Sequence, residues 1–176
     1  MAATVIINRK TGSGPTNTAI TSSLSRLSTS DAPTPGTSDP IPVPDAGTNY
    51  SYWISTRLEC TVAPAGTVDN LRWHPVLPNN FGTGITAKGN TASAYVQATG
   101  TQGTTGDILN TTNHTSLAGA TSDIWTWTEA SPKTVTGSTT TAVEFGHNMC
   151  WQIEVASTAT AGTLTAQTAR WRYDET

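Results

Sequence analysis

The segment YSYWISTRLECTV, residues 50–62, alternates with the two-residue period of a strand that buries one face. Ile54, Leu58, Cys60 and Val62 share one side of the pleat. Trp53 and Arg57 fall on the other. Trp53 is therefore out of phase with the buried face of its own strand, and it points to a partner or to a second layer.

The surrounding composition makes strands the rule. The chain holds 36 Thr, 15 Ser and 15 Gly, and its charged residues amount to only 12%, about half the usual ~25%. Thr and Gly are poor in helices, whereas Thr fits a pleated surface. The expected fold class is all-β. Further strands are expected at Thr4 to Asn8, at Val68 to His74 with Leu71 and Trp73 on one face, and at Ala92 to Thr99. Ile124 to Thr128 alternates with Trp125 and Trp127 on one face. A hairpin around Gly137-Ser138 would join Val135-Thr136 to Thr141–Phe145, and Met149 to Ala156 and Leu164 to Tyr173 follow. Seven or eight strands at this spacing describe a β-sandwich or a jelly-roll-like body. The loop of about twenty residues that begins near Gly100 is long enough to need a role of its own or a covering partner.

Residues 11–46 contrast with this body. They carry six prolines, a dense run of Ser and Thr and no aromatic side chain. Such a stretch buries too little apolar surface to offset roughly 1–2 kcal/mol of backbone entropy per ordered residue. Either the folded body or a neighbouring molecule has to hold it. The expected organisation is an extended Pro/Ser/Thr-rich N-terminal arm over 1–46, with a first strand inside it, and a β-sandwich body over 47–176. Ile20, Leu24 and Leu27 stand at i, i+4 and i+7, and among so many Ser and Thr they read as apolar pegs on an extended arm rather than as a helix. Five prolines between Pro33 and Pro44 hold the backbone near polyproline II. The arm's expected contact residues are Ile20, Leu24, Leu27, Pro40, Ile41, Pro42, Val43 and Pro44.

Catalytic and cofactor chemistry finds no foothold in the motifs. There is no Gly-x-Ser-x-Gly elbow, no His-Glu-x-x-His and no phosphate-cradling glycine loop. His74, His114 and His147 lack the spacing of a zinc site. The expectation is a non-enzymatic protein without a cofactor or a metal. Cys60 lies on the buried face of its strand, while Cys150 is out of phase with Met149, Trp151, Ile153 and Val155. The two sulfurs thus belong to opposite faces and are expected as free thiols. The net charge is −3 and the basic residues are scattered, so no nucleic-acid partner is expected. No run of 18 apolar residues suggests a membrane span, and the N-terminal residues lack the basic and apolar regions of a secretion signal. Trp53, Trp125 and Trp127 form a candidate partner or glycan face, since exposed aromatic rings stack on sugars; packing is the competing use of such side chains.

At GTNYSYWISTRLECTVAPAGTVDNLRW, and again at ARWRYDET, the chain resembles structural proteins of tailed bacteriophage virions; the PGTSDPIPVP stretch of the arm fits the same texture. Within that class it is most similar to capsid decoration, or cement, proteins. The resemblance implies a small β-fold on the outer shell of a virion assembled in a host cytoplasm. It implies contact with the major capsid protein and with neighbouring copies as a dimer or trimer, the arm acting as a clamp. A tail or neck component and a carbohydrate-binding adhesin domain are the alternatives.

Overall fold

The computed structural model describes residues 2–21, 25–34, 36–76 and 80–176. Its strands are β1 (Thr4–Thr11), β2 (Thr16–Ala19), β3 (Thr48–Tyr50), β4 (Ile54–Val62), β5 (Val68–Pro75) and β6 (Ile85–Ala92), followed by the two-residue strands β7 (Gly100–Thr101), β8 (Thr105–Gly106), β9 (Ser122–Asp123) and β10 (Lys133–Thr134), then β11 (Glu144–Ala156) and β12 (Ala169–Glu175). Eight of the strands in the described residues are three residues or longer. The one helical element among the described residues is a 3-10 turn at Ile124–Thr126.

A seven-stranded antiparallel sheet runs in the order β2-β1-β4-β11-β6-β9, with β3 also paired to β11. A second sheet has the order β10-β5-β12. The two meet face to face as a β-sandwich. Leu58 and Cys60 of β4, Ala87 of β6, and Phe145, Met149, Ile153 and Val155 of β11 pack against Val68, Leu71 and Trp73 of β5. Each fully buried side chain of the Leu or Ile class contributes about 1.5–3 kcal/mol here.

The opposite face of the large sheet is buried as well. Cys150 packs there with Tyr52, Trp53, Ala98, Leu109 and Leu117. The long loop after Gly100 is therefore structural, and with residues 93–99 it forms a third, irregular layer over the back of the sheet. Gln152 staples this layer in place. Its side-chain Nε2 donates to the carbonyls of Ser51 (2.6 Å) and Asp107 (2.7 Å), and its Oε1 accepts from the Leu109 N–H (2.8 Å).

The central strand β11 keeps its alternation across an irregularity. Phe145 pairs with Leu58 and Met149 with Thr56, so β11 uses four residues where β4 uses two. A shift of two preserves parity, which leaves both Phe145 and Met149 on the front face. Gly146, at the irregularity, has φ +74°. The backbone of Gly137 crosses so close that a Cβ there would lie 2.1 Å from the Gly146 Cα. Only glycine fits this crossing.

Several expected elements are corrected. Residues 93–99 are not a strand; the strand lies just before them, at Ile85–Ala92, where small inward residues such as Ala87 and Gly89 give a weak apolar signal. In place of the strand expected at Ile124 to Thr128, Ile124–Thr126 form the 3-10 turn with Trp127 as its C-cap, and Asp123 caps its start by accepting from the Trp125 N–H at 2.9 Å. No hairpin forms around Gly137-Ser138. Instead Lys133–Thr134 and the bridge at Thr139 pair with β5, and Glu144 already opens β11. The last strand starts at Ala169 rather than Leu164.

Candidate functional site

A three-stranded sheet cannot cover a seven-stranded one, and the uncovered part of the front face forms the floor of a cavity of about 1110 Å³. Ile7 of β1, Ile54 and Thr56 of β4, and Trp151, Ile153 and Val155 of β11 make that floor. One wall is the arm, through Ile20, Leu27, Ile41 and Val43. The facing wall is the irregular segment 159–168 that leads into β12, with Leu164 turned inward and Trp73 and Trp171 at the border with the small sheet. Among the described residues that line the cavity, Arg26 is the only charged one.

The arm is part of the fold. β1 pairs with β4 from Thr4 to Lys10, so the first strand belongs to the large sheet. Beyond β2 the arm returns across that sheet and is fixed by polar contacts. The Tyr52 N–H donates to the Ser28 carbonyl (2.8 Å), the Thr29 N–H to the Asp39 carbonyl (2.9 Å) and the Gly103 N–H to Thr29 Oγ1 (2.8 Å). Asn49 Nδ2 donates to the Pro42 carbonyl at 2.9 Å. Asp31 accepts from the Gly12 N–H (2.8 Å) and from Gln97 Nε2 (3.0 Å).

Arg9 ties three arm residues at once. It is 1% exposed, and its Nη1 donates to Ser25 Oγ (2.6 Å), the Arg26 carbonyl (3.2 Å) and the Pro33 carbonyl (3.3 Å). Desolvation lowers its pKa to about 10, with Asp31 and Tyr95 opposing that shift, so the guanidinium is charged at neutral pH. Burial, with Asp31 beside it, pushes the Tyr95 phenol upward. A buried charge needs partners, and the arm's carbonyls supply them.

The expected contact residues divide into two sets. Leu27, Ile41 and Val43 pack against the chain's own core, and Ile20 lines the cavity half-buried. Pro40 and Pro42 alternate with them and are exposed, while also bordering the cavity, and Pro44 is half-buried. Leu24 lies outside the described residues. The apolar pegs expected for a partner are thus engaged by the protein itself, because an extended backbone puts every second side chain inward.

The aromatic face takes a different form from the one expected. Trp53 is 2% exposed, its Nε1 donating to the Val96 carbonyl at 3.0 Å and its ring 5.7 Å from that of His114. Of its two destinations it takes the second layer. Trp125 and Trp127 share no strand face and are half-buried. Trp125 packs on Phe81 (5.4 Å between centroids), and Trp127 meets Trp73 edge-on (5.8 Å) beneath Lys133 Nζ (5.3 Å). The flat paired platform that would stack on a sugar is absent from this geometry.

One cluster has no signature in the sequence. Cys150 Sγ lies 3.2 Å from Ser55 Oγ and 3.5 Å from His114 Nε2, all buried on the back face. Burial drives the Cys150 thiol up to about 12 and lowers the His114 pKa, leaving a neutral thiol beside a neutral ring. A reactive cysteine needs the opposite, a depressed pKa and solvent access. His114 is remote in sequence and no spacing rule links it to Cys150. Cys60 sits in the front core, so the two thiols occupy opposite faces and both are free. Among the described residues no three His, Cys, Asp or Glu side chains converge as metal ligands.

Comparison with protein-family models, with curated proteins and with solved structures found no match.

Proposed function

We propose that the protein is a non-enzymatic structural component of a virion that decorates a phage capsid, binding the major capsid protein and neighbouring copies. The observation that carries this reading is the pre-ordered arm. Residues 25–34 and 36–44 lie strapped across the sandwich by Arg9, Asp31 and Asn49, with Pro40 and Pro42 exposed. A surface segment already held in place loses little further entropy on binding, so a modest contact repeated over a shell gains in affinity. The clamp differs from the one suggested by sequence alone. Its apolar side chains fasten it to the body, and the exposed Pro40 and Pro42 are the part left for a partner.

The test is co-sedimentation with empty shells assembled from the major capsid protein of the same phage. The chain is expected to pellet with shells saturably, and the Pro40→Asp/Pro42→Asp variant to lose most of that binding while keeping its thermal midpoint. Failure to pellet, or undiminished pelleting of the variant, would count against the decoration role. Ring assembly without shell affinity would favour a tail or neck component.

A further inference from the structure

We infer that the cavity beneath the arm is a binding site for one long-chain carboxylate, with the alkyl chain on the sheet floor and the head group at Arg26. At about 1110 Å³ the cavity is as large as the upper end of small-molecule sites, which run from roughly 300 to 1,000 Å³ and are mostly apolar with a few placed polar groups. Its lining includes the half-buried Trp151, Leu27 and Leu164, with Ile54, Ile153 and Val155 buried in the sheet floor. The lining mixes these apolar side chains with Thr and Ser hydroxyls, the pattern of a site that takes an apolar chain with a polar end. The floor strands β1, β4 and β11 are each paired on both sides and offer no free edge to a partner strand, which favours a flexible apolar chain over an added strand.

Charge selects the head group. Arg26 makes no ion pair with any described carboxylate, and its Nη1 donates to the Gly36 carbonyl at the arm's outer turn. Every other described lining residue is uncharged, with Thr and Ser near the arm and along 160–168. A guanidinium matches a carboxylate in shape and charge. The same wall repels a cationic amphiphile.

The experiment is calorimetric titration of the full-length chain with laurate below its micellar concentration, followed in parallel by tryptophan fluorescence from Trp73, Trp151 and Trp171. One saturable site per chain is expected. Dodecyltrimethylammonium should bind at least about tenfold more weakly, and Arg26→Gln should weaken laurate by about fivefold or more without changing the thermal midpoint. Thr56→Phe projects a ring from the floor into the cavity and should abolish binding. Ile41→Asp, on the half-buried inner edge of the arm, places an anion in the wall and should weaken laurate even if the Phe variant fails to fold. Absence of saturable binding, equal affinity for the cationic amphiphile, or laurate binding indifferent to Arg26→Gln and Ile41→Asp each overturns the assignment.

Discussion

Arg9 Nη1 donates to Ser25 Oγ at 2.6 Å, a contact that joins the first strand of the sheet to the arm folded over it. The same nitrogen serves the carbonyls of Arg26 and Pro33, so one buried cation organises a segment with little apolar surface of its own. Replacing Arg9 by Met removes all three bonds and leaves their acceptors unpaired. A loss of about 2–3 kcal/mol is expected, since hydrogen bonds to charged groups are worth roughly 1.5–3 kcal/mol each and the acceptors are partly hydrated. Limited proteolysis of the variant should cut within residues 25–44 well before the body. An arm as resistant as the wild type would show that its apolar contacts suffice.

Gln152 carries the corresponding load on the back face. The Gln152→Leu variant strands two carbonyls and one N–H in a buried site, at a cost of about 2–4 kcal/mol by denaturant unfolding. Hydrogen exchange at Leu109 should accelerate more than at Leu58, because only the back layer is released. Equal acceleration at both positions would mean that the layers open together.

His114 makes stability depend on pH. Burial holds its folded pKa below the ordinary 6.5. Between the folded value and 6.5 the unfolded chain binds more protons than the folded one, so stability is full above about 6.5 and declines as pH falls toward the folded pKa. Urea midpoints at pH 7.5 and pH 5.0 should differ more in the wild type than in His114→Asn. An identical difference in both proteins would remove His114 as the source.

Across the inner strands β1, β4 and β11 of the large sheet, Glu144 accepts from Lys10 (2.8 Å) and Arg57 (3.1 Å), and Lys10 is only 8% exposed. The Glu144→Gln variant leaves the ammonium without its counter-charge. Because Glu144 is partly solvated, the expected loss is about 1–3 kcal/mol, below the 3–5 kcal/mol of a fully buried pair. Adding Lys10→Met should recover part of it; no recovery would mean that Glu144 acts mainly through Arg57.

Parity is the legible part of this fold. The alternation of Leu58 with Cys60 and of Met149 with Ile153 identifies the front core, and the out-of-phase Cys150 and Trp53 identify a second buried face. Strand β6 is hidden because Ala87 and Gly89 are small where the sheet is tight: a Cβ on Gly89 would lie 2.6 Å from the Cys150 carbonyl oxygen. Trp125 and Trp127 mislead because two bulky residues separated by one mimic a strand, while the Asp123 cap turns the chain into a 3-10 turn. The cavity leaves no trace in the sequence at all. It arises from the mismatch in width between two sheets, and that is settled by pairing between strands distant in sequence.

The placement of the two sulfurs has a use of its own. Cys60 belongs to the front layer and Cys150 to the back, each 1% exposed or less. A pulse of alkylating reagent in mild denaturant therefore stamps each layer separately at the moment it opens. The chain carries two internal clocks, and single Cys→Ser variants would tell which layer comes loose first.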